Sequence, residues 1–302
     1  YKPETIPCVM SVLYDCTEAT YRSYLFYLAT CYGQQETLRP ALRKLIVYRA
    51  QRSVDAANLT FWILSYLHEH LPRGGLVALR QKMIGCVPGE YREAMKSCYA
   101  CVQTLTTAWC DDADGAAATT TATADFAKDV AATHYPLRPE RMIRSVATDK
   151  IERKRSLSRP TYVPITTVSA SSASSASSAC ENDADGDIRA TAFLIKRCSL
   201  GVEHVVMNCV VNVEKVLRAN GIRVDVQHYR ILPVSSTFGL VEIVTAAETI
   251  RDIKQTYKFS IQNYIMEHNP SLTIDEIRDR YMRSCVGYCI VGYVLGIGDR
   301  HL

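Results

Sequence analysis

The sequence predicts an α-helical block followed by an α+β domain, and three observations carry that prediction. Up to about Cys110 the apolar residues recur at helical spacing. A stretch of acidic, Ala and Thr residues, Asp111 to Asp125, then breaks the periodicity. Beyond it, short strand-like runs surround one strongly amphipathic helix.

In the helical block, Leu59, Trp62, Ile63, Tyr66 and Leu67 line one face of a helix that Pro72, Gly74 and Gly75 end. Leu42, Leu45, Ile46 and Arg49 mark an earlier helix, and Tyr91 to Leu105 a later one. Amphipathic helices with short connections imply a bundle or a solenoid, although no exact repeat is visible. The Asp111–Asp125 stretch is expected to be a mobile linker, because its Thr cluster weakens the helical bias of its alanines. Tyr135 to Ile165 is basic and punctuated by proline, and on its own reads as an extended loop with short apolar alternations.

Residues 169–187 are rich in Ser and Ala, too poor in large apolar groups to pack, and are expected to be a disordered insertion in a hairpin turn. Strand character resumes at Ala192 to Ile195 and leads to Lys196. Val205, Val206, Cys209, Val210, Val213, Val216 and Leu217 predict a helix stopped by Asn220 and Gly221. Strands are expected over Val224–Ile231 and Leu240–Val244, and a helix over Ser260–Glu267. Thr273 and Glu276 have capping-box spacing and open a long helix to Leu295. Its last part, within CVGYCIVGYVLGIGDRHL, is apolar enough to be the buried helix of a core but short for a membrane span.

A net charge of +4 over 302 residues is mild, which argues against nucleic acid as a partner and allows attraction to anionic membranes. Of the 12 cysteines, Cys209, Cys285 and Cys289 sit inside apolar helical patterns. Cys98 and Cys101 form a lone CxxC without a second pair, so reduced, buried thiols in an intracellular protein are expected. The start at Tyr1 suggests an excerpt from a longer chain.

Strand, helix and further strands, with Lys196 ending the first, is the order found in the small lobe of kinase-like folds. The run CVGYCIVGYVLGIGDRHL closely resembles the approach to the catalytic loop of phosphatidylinositol 3-/4-kinases, with their C-x-G-Y-C followed by G-x-G-D-R-H. The resemblance extends backwards. GLVEIV at 239–244 is similar to the family's inter-lobe hinge, and Tyr229, Arg230 and Ile231 to the strand before it. PLRPERMIRSVATDKIERKRSLSRP, 136–160, resembles the start of the small lobe, with Ser156 and Pro160 at the Ser-x-x-x-Pro turn over the nucleotide phosphates. Arg49 to Leu67 is similar to the family's helical accessory domain. The leucine after His301 and SIQNY at 260–264 lean towards class III, whereas the hinge is closer to class I.

The resemblance implies a helical accessory domain (1–110), a low-complexity linker (111–130), a kinase small lobe and hinge (131–244) and the start of the large lobe (245–302). It implies ATP with Mg2+ or Mn2+ as cofactors and phosphatidylinositol in membranes as substrate. It also implies regulatory subunits of a class III-type complex, and a cytoplasmic location, peripheral on endosomal or other internal membranes. Lys196 would contact the phosphates, and Glu203 would stand in for an aspartate of the small lobe. Glu242, Ile243 and Val244 would hold adenine through backbone groups, with Tyr229 at the back of the pocket. Asp299 would orient the attacking hydroxyl, Arg300 would stabilise charge, and His301 would accept the proton, its ordinary pKa of about 6.5 suiting it to neutral pH.

Two departures qualify the expectation. Lys196 is followed by RCSLGVE instead of the family's D-D-L-R-Q-D segment. The family's metal-binding Asn and D-F-G would fall beyond Leu302, which leaves no metal ligand in the chain and predicts that this piece alone is inactive. A pseudokinase scaffold and a phosphatidylinositol 4-kinase are the alternative readings.

Overall fold

A computed structural model describes residues 5–72, 74–110, 120–154, 159–171, 187–256 and 260–298. The chain divides into two compact units, Tyr1–Val205 with Arg230–Ile243, and Val206–Tyr229 with Val244–Leu302.

The first unit opens with helices α1 (Thr5–Asp15), α2 (Glu18–Gln34), α3 (Arg39–Arg52), α4 (Val54–His70), α5 (Leu76–Cys86) and α6 (Gly89–Cys110). Helix α4 is the axis of the block, because it is apolar on nearly every face: Ala56, Leu59, Trp62, Ile63, Leu64 and Leu67 are all buried. It begins where the Ser53 side chain accepts the Ala56 amide at 3.1 Å. Arg49 lies on the apolar stripe of α3 and is buried. Its guanidinium donates to the Cys16 carbonyl at 2.9 Å and to Glu18 at 3.1 Å, and lies 4.8 Å from the centre of the Tyr21 ring. One charged side chain thus closes the turn between α1 and α2.

The structure differs from the linker expectation at α7 (Thr120–Val130). Phe126 and Val130 are both buried, and Phe126 meets Trp109 edge-on at 4.4 Å. Burial of two large apolar groups outweighs the weak propensity of the threonines. The remainder of the predicted linker, 111–119, lies outside the described residues.

The sheet consists of β1 (His134–Tyr135), β2 (Arg138–Val146), β3 (Glu152–Arg153), β4 (Thr161–Ser169), β5 (Arg189–Lys196), β6 (Ile231–Pro233) and β7 (Gly239–Glu242). Among the described residues it runs β1-β2-β4-β5-β7-β6, with β3 beside β4, and every pairing is antiparallel. The basic stretch read as a loop is therefore two nine-residue strands, β2 and β4, joined through the short β3. Alternate residues point inwards, Ile143 on β2 and Val163 and Ile165 on β4, while most of the charges face out. Arg141 is buried and clamps the base of the β4–β5 hairpin. It donates to the Thr167 hydroxyl at 2.8 Å, the Thr167 carbonyl at 3.0 Å, the Asp187 carbonyl at 2.6 Å and the Asp187 carboxylate at 3.1 Å. Asp187 in turn accepts the Ser169 amide at 2.8 Å, and the Arg141 bond holds its carboxyl below the usual carboxylate range. The predicted insertion spans this hairpin, and its residues 172–186 lie outside the described ones.

Helices and sheet share one core within the first unit, where Leu25, Ile63 and Leu64 join Tyr135, Phe193 and Leu240. Polar locks reinforce it. Asn58 of α4 donates to the Pro136 carbonyl at 2.8 Å, and the Tyr66 and Ser199 hydroxyls lie 2.7 Å apart.

Helix α8 (Gly201–Ala219) starts in the first unit and continues into the second. It stops as predicted: Gly221 takes φ +76°, and the Ile222 amide reaches back to the Leu217 carbonyl at 2.9 Å. The second unit adds α9 (Ile250–Thr256), α10 (Ile261–Glu267) and α11 (Ile274–Val294). Thr273 and Glu276 form the predicted capping box on α11, and Ser260 caps α10.

A small cluster of buried valines, Val210, Val224, Val226 and Val291, forms the core of this unit. Gly287 admits the 224–226 segment against α11: a Cβ there would come within 2.8 Å of Val226 Cγ2 and 3.2 Å of Val224 Cβ. This packing explains one correction. Residues 224–230 join no sheet ladder, and Val224 and Val226 instead point onto the helices, so the strand begins only at Ile231. Helix α11 supplies another. Only Ile277, Gly287 and Val291 are buried, while Met282, Tyr293 and Val294 are exposed, Tyr293 to 89%. Cys289 is exposed, and Cys209 and Cys285 are half-buried, in contrast to the fully buried Cys98 and Cys101. One packed face is all that the neighbouring segments of this unit provide.

Candidate functional site

Lys196 ends β5, directly opposite Gly239, and Phe193 lies opposite Glu242. Residues paired in this way share a face of the sheet, so Lys196 and the Glu242 side chain project from opposite faces. Gly239 is needed at its position, because a Cβ would meet Leu232 O and Leu200 Cγ at 2.9 Å. Glu203 stands in the first turn of α8, where the helix dipole favours a carboxylate. Lys196 and Glu203 both act on Cys198: burial pushes this thiol up, Lys196 opposes the rise and Glu203 adds to it. No ion pair joins Lys196 to Glu203 among the described residues.

The segment after β7 uses its backbone unevenly. The Glu242 amide donates to the Arg230 carbonyl at 2.8 Å, and the Ile243 amide to the Ala192 carbonyl at 2.9 Å. The Val244 amide, one residue on, donates to no acceptor among the described residues. A backbone donor at the end of a strand is the kind of group that a flat heterocycle can engage.

Around Glu242 lies a set of charges that sequence reasoning did not connect. Glu242 is buried, accepts from Arg138 Nε at 2.5 Å, and accepts the Arg230 amide at 3.0 Å. Because the carboxylate takes this amide, the β6–β7 ladder ends there and Arg230 stands just outside β6. The Arg230 guanidinium donates to Asp55 on α4 at 3.0 Å and to the Leu137 carbonyl at 2.7 Å, and Glu140 lies 3.9 Å away. Asp55 also accepts from Arg22 on α2. Burial pulls the Arg230 guanidinium below its ordinary range, and Arg22 adds to this against Asp55 and Glu140. For Arg138 burial acts downwards, but the Glu242 bond and charge outweigh it and raise the guanidinium.

His204, in the first turn of α8, is buried, and its Nδ1 lies 2.8 Å from the Ile231 carbonyl. A carbonyl only accepts, so Nδ1 carries a proton. Burial pulls its pKa down to about 4, with Arg22 adding to the fall and the Ile231 carbonyl opposing it.

Tyr229 is half-buried and belongs to the second unit, as does Val244. Ser156, Asp299, Arg300 and His301 lie outside the described residues. The described chain reaches Gly298 after α11 stops at Leu295 and Gly296, the latter with φ +61°. Among the described residues no group of three or more His, Cys, Asp or Glu side chains is arranged to hold a metal ion.

Residues 191–302 match the family described as phosphatidylinositol 3- and 4-kinase. The match covers this segment of the chain. Two relatives align with part of the chain. Phosphatidylinositol 3-kinase pik3 of Schizosaccharomyces pombe is 34% identical over 108 residues, 33% of this chain and 13% of the relative. Phosphatidylinositol 3-kinase piki-1 of Caenorhabditis elegans is 30% identical over 125 residues, 39% of this chain and 7% of the relative. The chain thus spans a small fraction of the length of either relative. The helical region followed by a curled antiparallel sheet is the architecture expected of a phosphatidylinositol 3-kinase-type domain.

Proposed function

We propose that the protein is a lipid kinase that transfers the γ-phosphate of ATP to the 3-hydroxyl of phosphatidylinositol. The observation that carries this reading is the hinge. The Glu242 amide is taken by the Arg230 carbonyl and the Ile243 amide by Ala192 of β5, the Val244 amide meets no acceptor among the described residues, and the segment lies within the family match. In this reading Glu242, Ile243 and Val244 present backbone groups to adenine, and Tyr229 backs the pocket. Lys196 and Ser156 hold the phosphates, and Glu203 takes the place of a small-lobe aspartate. Asp299 orients the lipid hydroxyl, His301 receives its proton and Arg300 stabilises the charge that develops. A divalent Mg2+ or Mn2+ would neutralise the phosphate charge when bound.

The same reading takes residues 1–110 as a helical accessory domain, 131–244 as the small lobe with its hinge, and 245–302 as the start of the large lobe. It assigns the protein to class III, with regulatory subunits and a peripheral position on endosomal or other internal membranes. Among the described residues no helix is long and apolar enough to cross a membrane.

The full-length protein, given labelled ATP and phosphatidylinositol vesicles, is expected to yield 3-phosphorylated lipid. A 4-phosphorylated product would move it to the 4-kinases, and no product above a His301→Ala control would sink the lipid-kinase reading. The replaced segment after Lys196 favours a second reading as a pseudokinase scaffold. Mg-ATP raises the unfolding temperature if nucleotide binds and leaves it unchanged for a non-binding scaffold.

A further inference from the structure

Arg230 carries three connections at once. Its amide is held by the Glu242 carboxylate at 3.0 Å, its carbonyl receives the Glu242 amide at 2.8 Å, and its guanidinium is fixed to Asp55 at 3.0 Å. The first two tie it to the last residue of β7. The third ties it to the first turn of α4, 175 residues away in sequence. The Leu137 carbonyl, 2.7 Å from the guanidinium, fixes its direction. Asp55, Arg230 and Glu242 are all largely shielded from water, with side chains 14%, 21% and 10% exposed.

The surrounding charges make Asp55 decisive. Arg22 depresses the Arg230 guanidinium, and Arg138 acts on it in the same direction. Asp55 and Glu140 oppose them, and Asp55 is the nearer, since the closest Glu140 oxygen lies at 3.9 Å. Without the Asp55 charge, Arg230 would face two guanidinium groups with the weaker Glu140 contact, at 3.9 Å, in return. Its backbone, and with it both hydrogen bonds to Glu242, would lose its anchor.

We propose that Arg230 is a positioning residue for the 242–244 backbone and that Asp55 of α4 is its anchor, so that the helical block sets the hinge through one ion pair. The inference rests on the reading of this segment as a nucleotide-binding hinge. It adds a route by which anything that moves α2 or α4 alters nucleotide affinity.

Hydrogen exchange of the backbone amides in the full-length protein tests the relay without nucleotide. Relative to a Leu79→Ala control with matched loss of thermal stability, Asp55→Asn and Arg230→Gln are each expected to speed exchange at Glu242 and Ile243 about tenfold. The double variant should exchange no faster than the faster single variant, and Asp55→Glu should restore most of the protection. Titration with a fluorescent ATP analogue should show affinity weakened about fivefold in both single variants and unchanged in the control. Hinge exchange equal to that of the control overturns the relay. Failure of the unmodified protein to bind the analogue removes the nucleotide reading, while the exchange measurement still decides whether Asp55 anchors the segment.

Discussion

The two compact units are held together by different means. The first packs helices and sheet around large side chains, including Tyr21, Tyr135, Phe193 and Phe238, and threads ion pairs through that core. The second gathers four buried valines around one close approach at Gly287 and leaves most of α11 exposed. Of its ion pairs, Arg283 with Asp225 and Arg278 with Asp275 lie nearer the surface, while Arg218 reaches the buried Glu214. The contrast teaches that stability in the first unit resides in the volume of its core, and in the second in backbone fit and helix termini. Four substitutions probe the difference.

The largest effect is expected from Phe193→Ala. It empties a fully buried site against Tyr135 and should cost about 3–5 kcal/mol in denaturant unfolding of the first unit. A loss under about 1 kcal/mol would mean that this core is not close-packed.

Next comes His204. Its pKa is pulled from an ordinary 6.5 to about 4 in the folded protein, so the unfolded chain takes up the proton first as pH falls. Stability from this group is complete above about pH 6.5, declines between about 6.5 and 4, and is fully lost below. The total is on the order of 3 kcal/mol. Thermal melts across this window should show the slope, and His204→Gln should remove it while other groups keep theirs.

In the second unit, Gly287→Ala forces a methyl group against Val224 and Val226 and should cost about 1–3 kcal/mol. Exchange should accelerate at α11 amides and stay unchanged in β4 and β5. An equal response in the sheet would erase the distinction between the units. The smallest effect, about 1 kcal/mol, is expected from Thr273→Ala, which removes the capping box of α11. Limited proteolysis near residue 273 reports it.

The sequence exposes these elements unequally, for physical reasons. The capping box of α11 and the Asn220–Gly221 stop of α8 depend on residues within one helical turn, so they are legible locally. Lys196 at the end of β5 follows from a short apolar run and is found where it was expected. Strand β2 was obscured by its arginines, because Arg141 faces inwards and is neutralised by Asp187, 46 residues later. Helix α7 was obscured by threonines whose propensity is overruled by Phe126 and Val130 in the core. The apolar composition of 285–294 states a preference for burial but does not name the surface that would provide it. Of the candidate site, the sequence singles out Glu242, Ile243 and Val244 but not the ion pairs around Glu242. The Asp55–Arg230 contact joins positions with no local pattern between them.

The Arg141 clamp has a consequence for what the domain can tolerate. Four hydrogen bonds from one guanidinium fasten Thr167 to Asp187, so β4 and β5 meet in register whatever the chain does between Ser171 and Asp187. The closure entropy of such a segment grows only logarithmically, about 0.6 kcal/mol for each doubling of length. The hairpin therefore works as a docking port with a fixed collar. Inserts of different length and composition can be exchanged there, by evolution or by an engineer placing a fluorophore, while the strand that carries Lys196 stays where it is.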